Sequence, residues 1–193
     1  ILSGDAMLIK SYQFLEDYQD DVFRELIKLL SKTAMEICEG QRLDMDYQNT
    51  SKVSQDEYLE MIRLKTAVLI ASSLQMGAII AKASESDKKY IYNFGIQLGL
   101  AFQLQDDYLD AFGNEETFGK KIGGDIIENK KTILYHLALK HGSKKQFKIL
   151  NTFFKNDQKS NEKKIKIVKD LFINTGAKKE VKKMIKYHSK LAE

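Results

Sequence analysis

Apolar residues recur at steps of three and four along nearly the whole chain, which is the spacing of one face of an α-helix. We find no convincing segment with the apolar–polar alternation of a half-buried strand. Gly4–Asp5 opens a short predicted helix, and Asp20–Asp21 opens a second whose apolar positions continue toward Gly40. The pattern therefore predicts an all-α protein.

Helix boundaries are marked most clearly in the middle of the chain. Ser54 begins a capping-box pattern with an acidic first turn, and the helix behind it runs or kinks through Lys65 to about Lys82. Ser84 starts another predicted helix, which continues to about Phe112. These two segments are the strongest helix predictions in the sequence.

The last part of the chain is predicted to hold a loop followed by three or four helices. The loop covers residues 114–124, and later breaks fall near 142–143, 156–161 and 174–176. The chain contains no proline, which fits long helices joined by short Gly-, Asn- and Ser-containing turns. Its 193 residues are expected to form one domain, residues 1–193.

Composition and charge restrict the function only slightly. Residues 140–193 carry 16 Lys/Arg against 5 Asp/Glu, but these lysines flank apolar residues at helical spacing. We interpret them as solvated helix faces and expect no nucleic-acid binding. Cys38 is the only cysteine, which suits a reducing compartment. No uninterrupted apolar run is long enough for a membrane span and no signal peptide is visible, so we expect a cytoplasmic protein without an integral membrane segment.

Three aspartates share one face of the helix predicted after Ser84. Asp106 and Asp110 are four residues apart, Asp107 and Asp110 are three apart, and Gln103 projects in the same direction. Because the surrounding helix is apolar, three negative charges there are unfavourable unless a cation offsets them. Mg²⁺ does so with one or two carboxylates, water and substrate phosphates. The alternative is an exposed acidic face that pairs with lysines elsewhere, and the spacing alone does not decide between the two.

Four segments, in order along the chain, resemble the trans-isoprenyl diphosphate synthase (polyprenyl synthetase) family. They resemble its Gly-Gln-x-x-Asp helix, its Lys-Thr step, its second aspartate-rich motif, and the loop and helix start that close over the diphosphate. The segments are residues 38–44, Lys65–Thr66, residues 102–110, and residues 118–126 together with 129–132. Gly4–Asp5 is similar to the Gly-Asp that opens the helix after the family's first aspartate-rich motif, so the resemblance covers residues 1 to about 140.

The resemblance implies a fold and a reaction. The fold is the isoprenoid synthase (terpenoid synthase class I) helical bundle around a central cavity. The reaction condenses isopentenyl diphosphate with an allylic diphosphate (dimethylallyl, geranyl or farnesyl) to a longer linear trans product. The family uses Mg²⁺, with Mn²⁺ as an alternative, to assist loss of pyrophosphate from the allylic substrate. Family members are commonly homodimers, so the resemblance also implies a homodimer.

The resemblance also implies which residues hold the metal and the diphosphate. Asp106 would ligate one Mg²⁺, with Asp107 and Asp110 supporting it directly or through water. The lysines implied to contact the allylic diphosphate are Lys65, Lys130 and either Lys120 or Lys121. The choice between the last two stays open.

Other polar residues are implied to line the same cavity. Gln103 and the Thr66 carbonyl would face the allylic cation as oxygen dipoles. Gln41 and Asp44 would line the cavity, with Asp44 orienting Lys65 or a metal-bound water. By its spacing, Asp125 is expected to position either Lys121 or Lys130.

One part of the family pattern is missing from the sequence. The first aspartate-rich motif precedes the Gly-Asp helix in the family, whereas Asp20–Asp21 follows it, and Arg24 stands where the last Asp would be. We interpret Asp20–Asp21 as a capped, solvated helix start. The bundle's N-terminal helices and the residues that bind isopentenyl diphosphate are also absent, so we expect a longer polypeptide and an inactive segment on its own. A genuine inactive truncation is the alternative.

Two other functions compete with chain elongation. A terpene cyclase or head-to-head condensing enzyme would use the same fold, usually with a differently spaced second metal motif. A non-catalytic regulatory subunit of a heteromeric synthase would be expected to have altered metal or lysine positions. The intact Asp106, Lys65 and Lys130, and Phe102–Gln103 before the aspartates, favour elongation.

Overall fold

The computed structural model describes residues 1–50, 53–119, 121–155 and 161–193, and these residues form helices joined by short turns. No strand occurs in these ranges, so the all-α prediction is confirmed. The helices are α1 (Leu2–Gln13), α2 (Asp20–Asn49), α3 (Gln55–Ile62), α4 (Val68–Ile80), α5 (Glu85–Phe112), α6 (Glu115–Phe118), α7 (Gly124–Ile127), α8 (Ile133–His141), α9 (Lys144–Lys155), α10 (Asn161–Asn174) and α11 (Ala177–Leu191). A π-helical turn, Arg63–Ala67, joins α3 to α4.

The predicted helix starts in the middle of the chain are confirmed by their caps. The Ser54 hydroxyl accepts a hydrogen bond from the Glu57 N–H, and the Glu57 carboxylate accepts one from the Ser54 N–H, which completes a capping box. Ser84 accepts from the Asp87 N–H in the same way at the start of α5. The predicted kink near Lys65 is the π-helical turn.

Two predicted details differ from the structure. α2 continues past Gly40 to Asn49, because this glycine provides room for a neighbouring segment instead of ending the helix. The predicted loop of residues 114–124 contains the short helix α6 and the start of α7. The break predicted at residues 156–161 falls mostly outside the described residues, whereas those near 142–143 and 174–176 are confirmed.

Glycines let the central helices approach each other closely. A Cβ atom built on Gly95 would lie 2.4 Å from Ala71 Cα, and one built on Gly99 would lie 2.5 Å from Ala67 Cα. At Gly40 the same atom would lie 2.4 Å from the Lys65 main-chain nitrogen. α2, the π-helical turn, α4 and α5 therefore touch nearly backbone to backbone.

The apolar core lies beside this contact. α5 packs against α4 on one side and α11 on the other, and α8 and α10 complete the main cluster. Fully buried side chains of that cluster are Leu104, Ile133, Leu134, Leu137, Leu150, Val168, Phe172 and Val181. A smaller cluster joins α2 to α4 through Leu26 and Ile79.

One stretch of the core also has the length and composition of a membrane span. Gln55–Ile80 is a continuous helical run of 26 residues. In its most apolar stretch of 18 residues, 39% is buried inside the protein. Polar residues interrupt its apolar residues, so a search for uninterrupted apolar runs does not identify this stretch. The stretch packs against α2 and α5 within the bundle, and a core helix meets the same criterion. The absence of an integral membrane segment stays a prediction.

Candidate active site

A cavity of about 270 Å³ opens between α2, α3, the π-helical turn, α5 and the segment from α7 to α8. It brings together acidic and basic residues from segments far apart in the sequence. Its lining consists of Asp44, Tyr47, Gln48, Tyr58, Met61, Ile62, Lys65, Gln103, Asp106, Asp107, Asp125, Lys130, Lys131 and Thr132. The cavity unites most of the predicted site residues.

The π-helical turn presents Lys65 to the cavity. Its Nζ donates to Asp44 Oδ2 at 2.6 Å, and both side chains are about one-third exposed, at 37% and 31%. The expectation that Asp44 orients Lys65 agrees with this contact. Because partly exposed ion pairs contribute little stability, an arriving phosphate group can compete with Asp44 for the ammonium group.

A chain of hydrogen bonds joins the turn to α5. The Thr66 hydroxyl donates to Gln103 Oε1 at 3.0 Å, and Gln103 Nε2 donates to Asp107 Oδ1 at 3.1 Å. On the other side, the Tyr58 hydroxyl donates to Asp107 Oδ2 at 2.6 Å. Asp107 is thus held through both of its oxygens and in turn fixes the orientation of the Gln103 amide. Sequence reasoning missed Tyr58, because an aromatic residue on the apolar face of a helix carries no signal of its polar partner.

The buried aspartates of α5 ionise with difficulty. Burial raises the pKa of Asp107 to about 7, although the hydrogen bonds from Tyr58 and Gln103 act to lower it. Burial, followed by the charge of Asp125, raises the pKa of Asp110 to about 6, and the Asp125 N–H opposes this by donating to Asp110 Oδ2 at 3.1 Å. Ionisation of these carboxylates is therefore unfavourable, and a bound cation would lower the free energy of their charged forms.

The carboxylates fit a magnesium ion that is completed by substrate. In the described ranges no group of three His, Cys, Asp or Glu side chains is arranged to hold a metal ion. Mg²⁺ takes one or two carboxylates and fills its other positions with water and phosphate oxygens, so a full protein cage is not required. Asp106 and Asp107 both line the cavity, but Asp106 is half-buried whereas Asp107 is buried and accepts hydrogen bonds from Tyr58 and Gln103 on its two oxygens. Asp106 therefore fits the role of ligand, and Asp107 and Asp110 fit supporting roles.

Lys130 and Lys131 of the segment from α7 to α8 both line the cavity, and Lys130 is paired with carboxylates. Its Nζ lies 2.9 Å from Asp125 Oδ1 and 3.1 Å from Glu128 Oε2. Partial burial acts to lower the pKa of Lys130, but these two carboxylates outweigh it and raise the pKa above its usual value. The spacing allowed either Lys121 or Lys130 as the partner of Asp125, and in the structure Lys130 is the residue bound to it.

Four of the predicted residues that the structure describes do not belong to the cavity lining: Gln41, Thr66, Asp110 and Lys121. Thr66 and Asp110 each hydrogen-bond to a lining residue, Gln103 and Asp125 respectively. Lys121 is exposed and does not belong to the lining, and Lys120 lies outside the described residues. Gln41, predicted to line the cavity, is exposed as well. It lies one helical turn before Asp44 on α2, and its place in the cavity lining stays a prediction. A diphosphate contact by Lys120 or Lys121 stays a prediction.

Lys131 was not predicted and ties the segment from α7 to α8 to the end of α2. Its Nζ donates to the main-chain oxygens of Gln48 at 3.0 Å and Thr50 at 2.6 Å. A cation at a helix C-terminus satisfies carbonyls that lack a helical partner and interacts favourably with the helix dipole. No sequence pattern indicates this contact, since the two segments are more than 80 residues apart.

Comparison with known proteins identifies the family of this chain. A family model described as polyprenyl synthetase matches residues 1–171. The chain belongs to the polyprenyl synthetase family. Its motifs, its helical fold and the cavity between α2 and α5 are thereby accounted for by common descent.

Curated polyprenyl synthetase relatives include archaeal enzymes. The chain is 40% identical over 141 residues to a short chain isoprenyl diphosphate synthase of Methanocaldococcus jannaschii, covering 72% of this chain and 43% of that protein. It is 40% identical over 146 residues to a geranylgeranyl diphosphate synthase of Methanosarcina mazei, covering 75% of this chain and 45% of that protein. The matched region thus spans less than half the length of these relatives.

Solved structures show the same fold. A geranylgeranyl pyrophosphate synthase superposes with a TM-score of 0.94 at 46% identity, over 99% of this chain and 59% of that chain. A Corynebacterium glutamicum geranylgeranyl pyrophosphate synthase, solved with isoprenyl diphosphate and magnesium, superposes with a TM-score of 0.90 at 28% identity, over 100% of this chain and 55% of that one. The predicted isoprenoid synthase fold is confirmed.

Proposed function

We propose that this polyprenyl synthetase is a trans-prenyltransferase, which condenses isopentenyl diphosphate with an allylic diphosphate to a longer linear isoprenyl diphosphate. The allylic substrate is dimethylallyl, geranyl or farnesyl diphosphate. The observation that carries the proposal is one cavity that holds the ammonium groups of Lys65 and Lys130 together with the Asp106 carboxylate. The names of the relatives, and the isoprenyl diphosphate and magnesium in one of them, support it.

The proposed chemistry is stabilisation of a leaving group. Lys65 and Lys130 bind the diphosphate and neutralise the charge that develops on it as the allylic C–O bond breaks. Mg²⁺ supplies further positive charge on the same phosphates when bound, with Asp106 as its protein ligand. The Gln103 and Thr66 oxygens provide dipoles near the allylic carbon, and the link through Asp107 to Tyr58 keeps the Gln103 amide from rotating.

Incubation of the full-length protein with Mg²⁺, isopentenyl diphosphate and each of the three allylic diphosphates tests the proposal. We expect a linear diphosphate longer by one or more five-carbon units, identified by chromatography and mass spectrometry. A hydrocarbon product would instead indicate a cyclase or a head-to-head condensing enzyme. No product from any substrate would indicate a regulatory subunit. The same assay gives the product length.

The proposal extends to assembly and location. We propose a homodimer, a cytoplasmic location, and a single domain over residues 1–193 that is completed by an N-terminal part bearing the first aspartate-rich motif. Light scattering coupled to size exclusion should give twice the mass of one full-length chain. A monomeric mass would contradict the proposed assembly.

A further inference from the structure

Lys164 is a buried lysine that lies outside every motif and does not line the cavity. It belongs to α10 and is only 3% exposed. Its Nζ donates to Asn129 Oδ1 at 2.6 Å and to the Ile127 main-chain oxygen at 3.2 Å, and it lies 5.7 Å from the centre of the Phe154 ring. The two acceptors belong to the last residue of α7 and to the turn that follows it, immediately before Lys130.

That turn directs Lys130 toward the cavity. Asn129 has a φ of 59°, the left-handed conformation, which reverses the chain after α7. The reversal lets the Lys130 N–H donate to the Asp125 main-chain oxygen at 2.9 Å, while the Lys130 Nζ reaches the Asp125 carboxylate at 2.9 Å. The position of the Lys130 ammonium group thus depends on the conformation at Asn129.

α10 contacts the same segment at a second point. A Cβ atom built on Gly123 would lie 2.9 Å from the Ile165 side chain, and Gly123 has a φ of 87°. The Gly123 N–H donates to the Asp110 main-chain oxygen at 2.6 Å, which joins the segment to α5. Two successive residues of α10, Lys164 and Ile165, therefore hold the segment of residues 123–130 at both ends.

We propose that Lys164 is a positioning residue for diphosphate binding, which acts by holding the turn of residues 127–130 so that Lys130 faces the cavity. An ammonium group is costly to bury, and an apolar side chain of similar length would serve packing alone at a lower cost. Both oxygens that Lys164 contacts lie in the turn that places Lys130. The inference rests on the proposed role of Lys130 in binding the diphosphate.

The first test compares Lys164→Met with Lys163→Met, its exposed neighbour on α10. In the full-length protein we expect Lys164→Met to raise the KM for the allylic diphosphate about 10-fold and to change kcat less than about threefold. Lys163→Met should leave both constants unchanged. Equal constants for the two variants would overturn the proposal.

A second variant removes the acceptor instead of the donor. Asn129→Gly retains the left-handed backbone and deletes the side-chain oxygen that Lys164 binds. We expect a rise in KM, and the rise in the combined Asn129→Gly, Lys164→Met variant should be smaller than the product of the two single effects, because both changes remove the contact between Lys164 and Asn129. Independent effects of the two changes on KM would overturn the proposal. If Lys164→Met does not fold, the KM of Asn129→Gly alone decides it, and an unchanged KM would overturn the proposal.

Amide hydrogen exchange examines the turn without any turnover. Lys164→Met should accelerate exchange of the amides of residues 127–130 by about 10-fold or more, and Lys163→Met should not. Unchanged exchange, or faster exchange with an unchanged KM, would overturn the proposal. Failure of the proposed function is distinct, since wild-type protein would then form no product. The affinity for Mg²⁺ and pyrophosphate, measured by calorimetry on the same variants, would then replace KM as the deciding measurement.

Discussion

At the residue scale, the aspartates of α5 share a helix face but not a role. Asp107 is 3% exposed and accepts from Tyr58 and Gln103, and Asp110 accepts from the Asp125 main chain. Asp106 is half-buried and lines the cavity, as Asp107 does. Spacing alone could establish that the three side chains project together. Which of them meets substrate depends on the elements packed around α5.

The first prediction concerns Asp106. Asp106→Ala deletes the proposed metal ligand and also relieves repulsion among neighbouring carboxylates, so metal-dependent turnover should fall by about 100-fold or more while the melting temperature changes little. Steady-state assays with varied Mg²⁺ and a thermal melt provide the measurements. The control is Glu39→Ala, an exposed carboxylate of α2 outside the cavity. Unchanged turnover in Asp106→Ala would show that Asp106 is not a metal ligand on which turnover depends.

The second prediction concerns Tyr58, whose hydroxyl donates to Asp107. Because the pKa of Asp107 is about 7, the carboxylate is largely ionised at pH 8 and largely protonated at pH 5.5. Tyr58→Phe removes a donor to the ionised form and raises this pKa further, so the added loss of stability appears as pH rises through 7. We expect a cost of about 1.5–3 kcal/mol at pH 8 and a smaller cost at pH 5.5.

Urea denaturation in metal-free buffer at the two pH values measures this difference. Tyr90→Phe is the matched control, because the Tyr90 side chain is 72% exposed and should respond at neither pH. An equal cost for Tyr58→Phe at pH 8 and pH 5.5 would show that the hydroxyl does not act through the Asp107 charge.

At the element scale, the π-helical turn Arg63–Ala67 is the feature that builds one wall of the cavity. A π-helical turn inserts an extra residue into a helix, and such turns are frequent at functional sites. Here it carries both Lys65 and Thr66 and rests against Gly40 of α2. The sequence predicted a kink near Lys65, but the close approach of two backbones at Gly40 was apparent only in the packed structure.

The third prediction follows from that approach. Gly40→Ala places a methyl group 2.4 Å from the Lys65 main-chain nitrogen, so α2 or the turn must move, at a cost of about 1–3 kcal/mol. The displaced turn should also weaken diphosphate binding through Lys65. Gly77→Ala in α4 is the control: nothing lies within 4 Å of the new methyl group, and higher helix propensity should stabilise it by about 0.5–1 kcal/mol. If both variants were equally stable, the tight packing at Gly40 would be refuted.

At the scale of the whole molecule, the polar cavity borders the main apolar core, and the two share Tyr58, Met61 and Ile62. His136 of α8 lies at this boundary, 5% exposed, with its ring 5.4 Å from that of Tyr58. Neither ring nitrogen makes a well-formed hydrogen bond with a described residue, although the main chain at Lys131 and Val53 lies near enough to favour the protonated form somewhat. Burial dominates and lowers the pKa of His136 to about 4.

The fourth prediction is the resulting pH dependence. Between pH 6.5 and 4 the unfolded chain protonates this histidine and the folded chain does not, so acid destabilises the fold through His136. The stability of wild type relative to His136→Leu should therefore fall by roughly 2–3 kcal/mol between pH 7.5 and 4.5. Urea denaturation at several pH values measures it, with the exposed His141→Gln as control. A pH-independent difference would contradict the lowered pKa of His136, because it would mean that folding does not change the pKa of this histidine.

The sequence by itself determined the helices and the family, and it named several residues that the structure places around one cavity. Caps such as Ser54 and Ser84, apolar periodicity and motif spacing are local properties of the chain, so they can be identified without knowing what packs where. Only the tertiary structure decided which polar groups meet. Tyr58 and Asp107 are 49 residues apart, and Lys164 and Asn129 are 35 apart. Such pairings follow from the packing of α3 against α5 and of α10 against the turn after α7. Burial then sets both the partner of each side chain and the free energy of its charge.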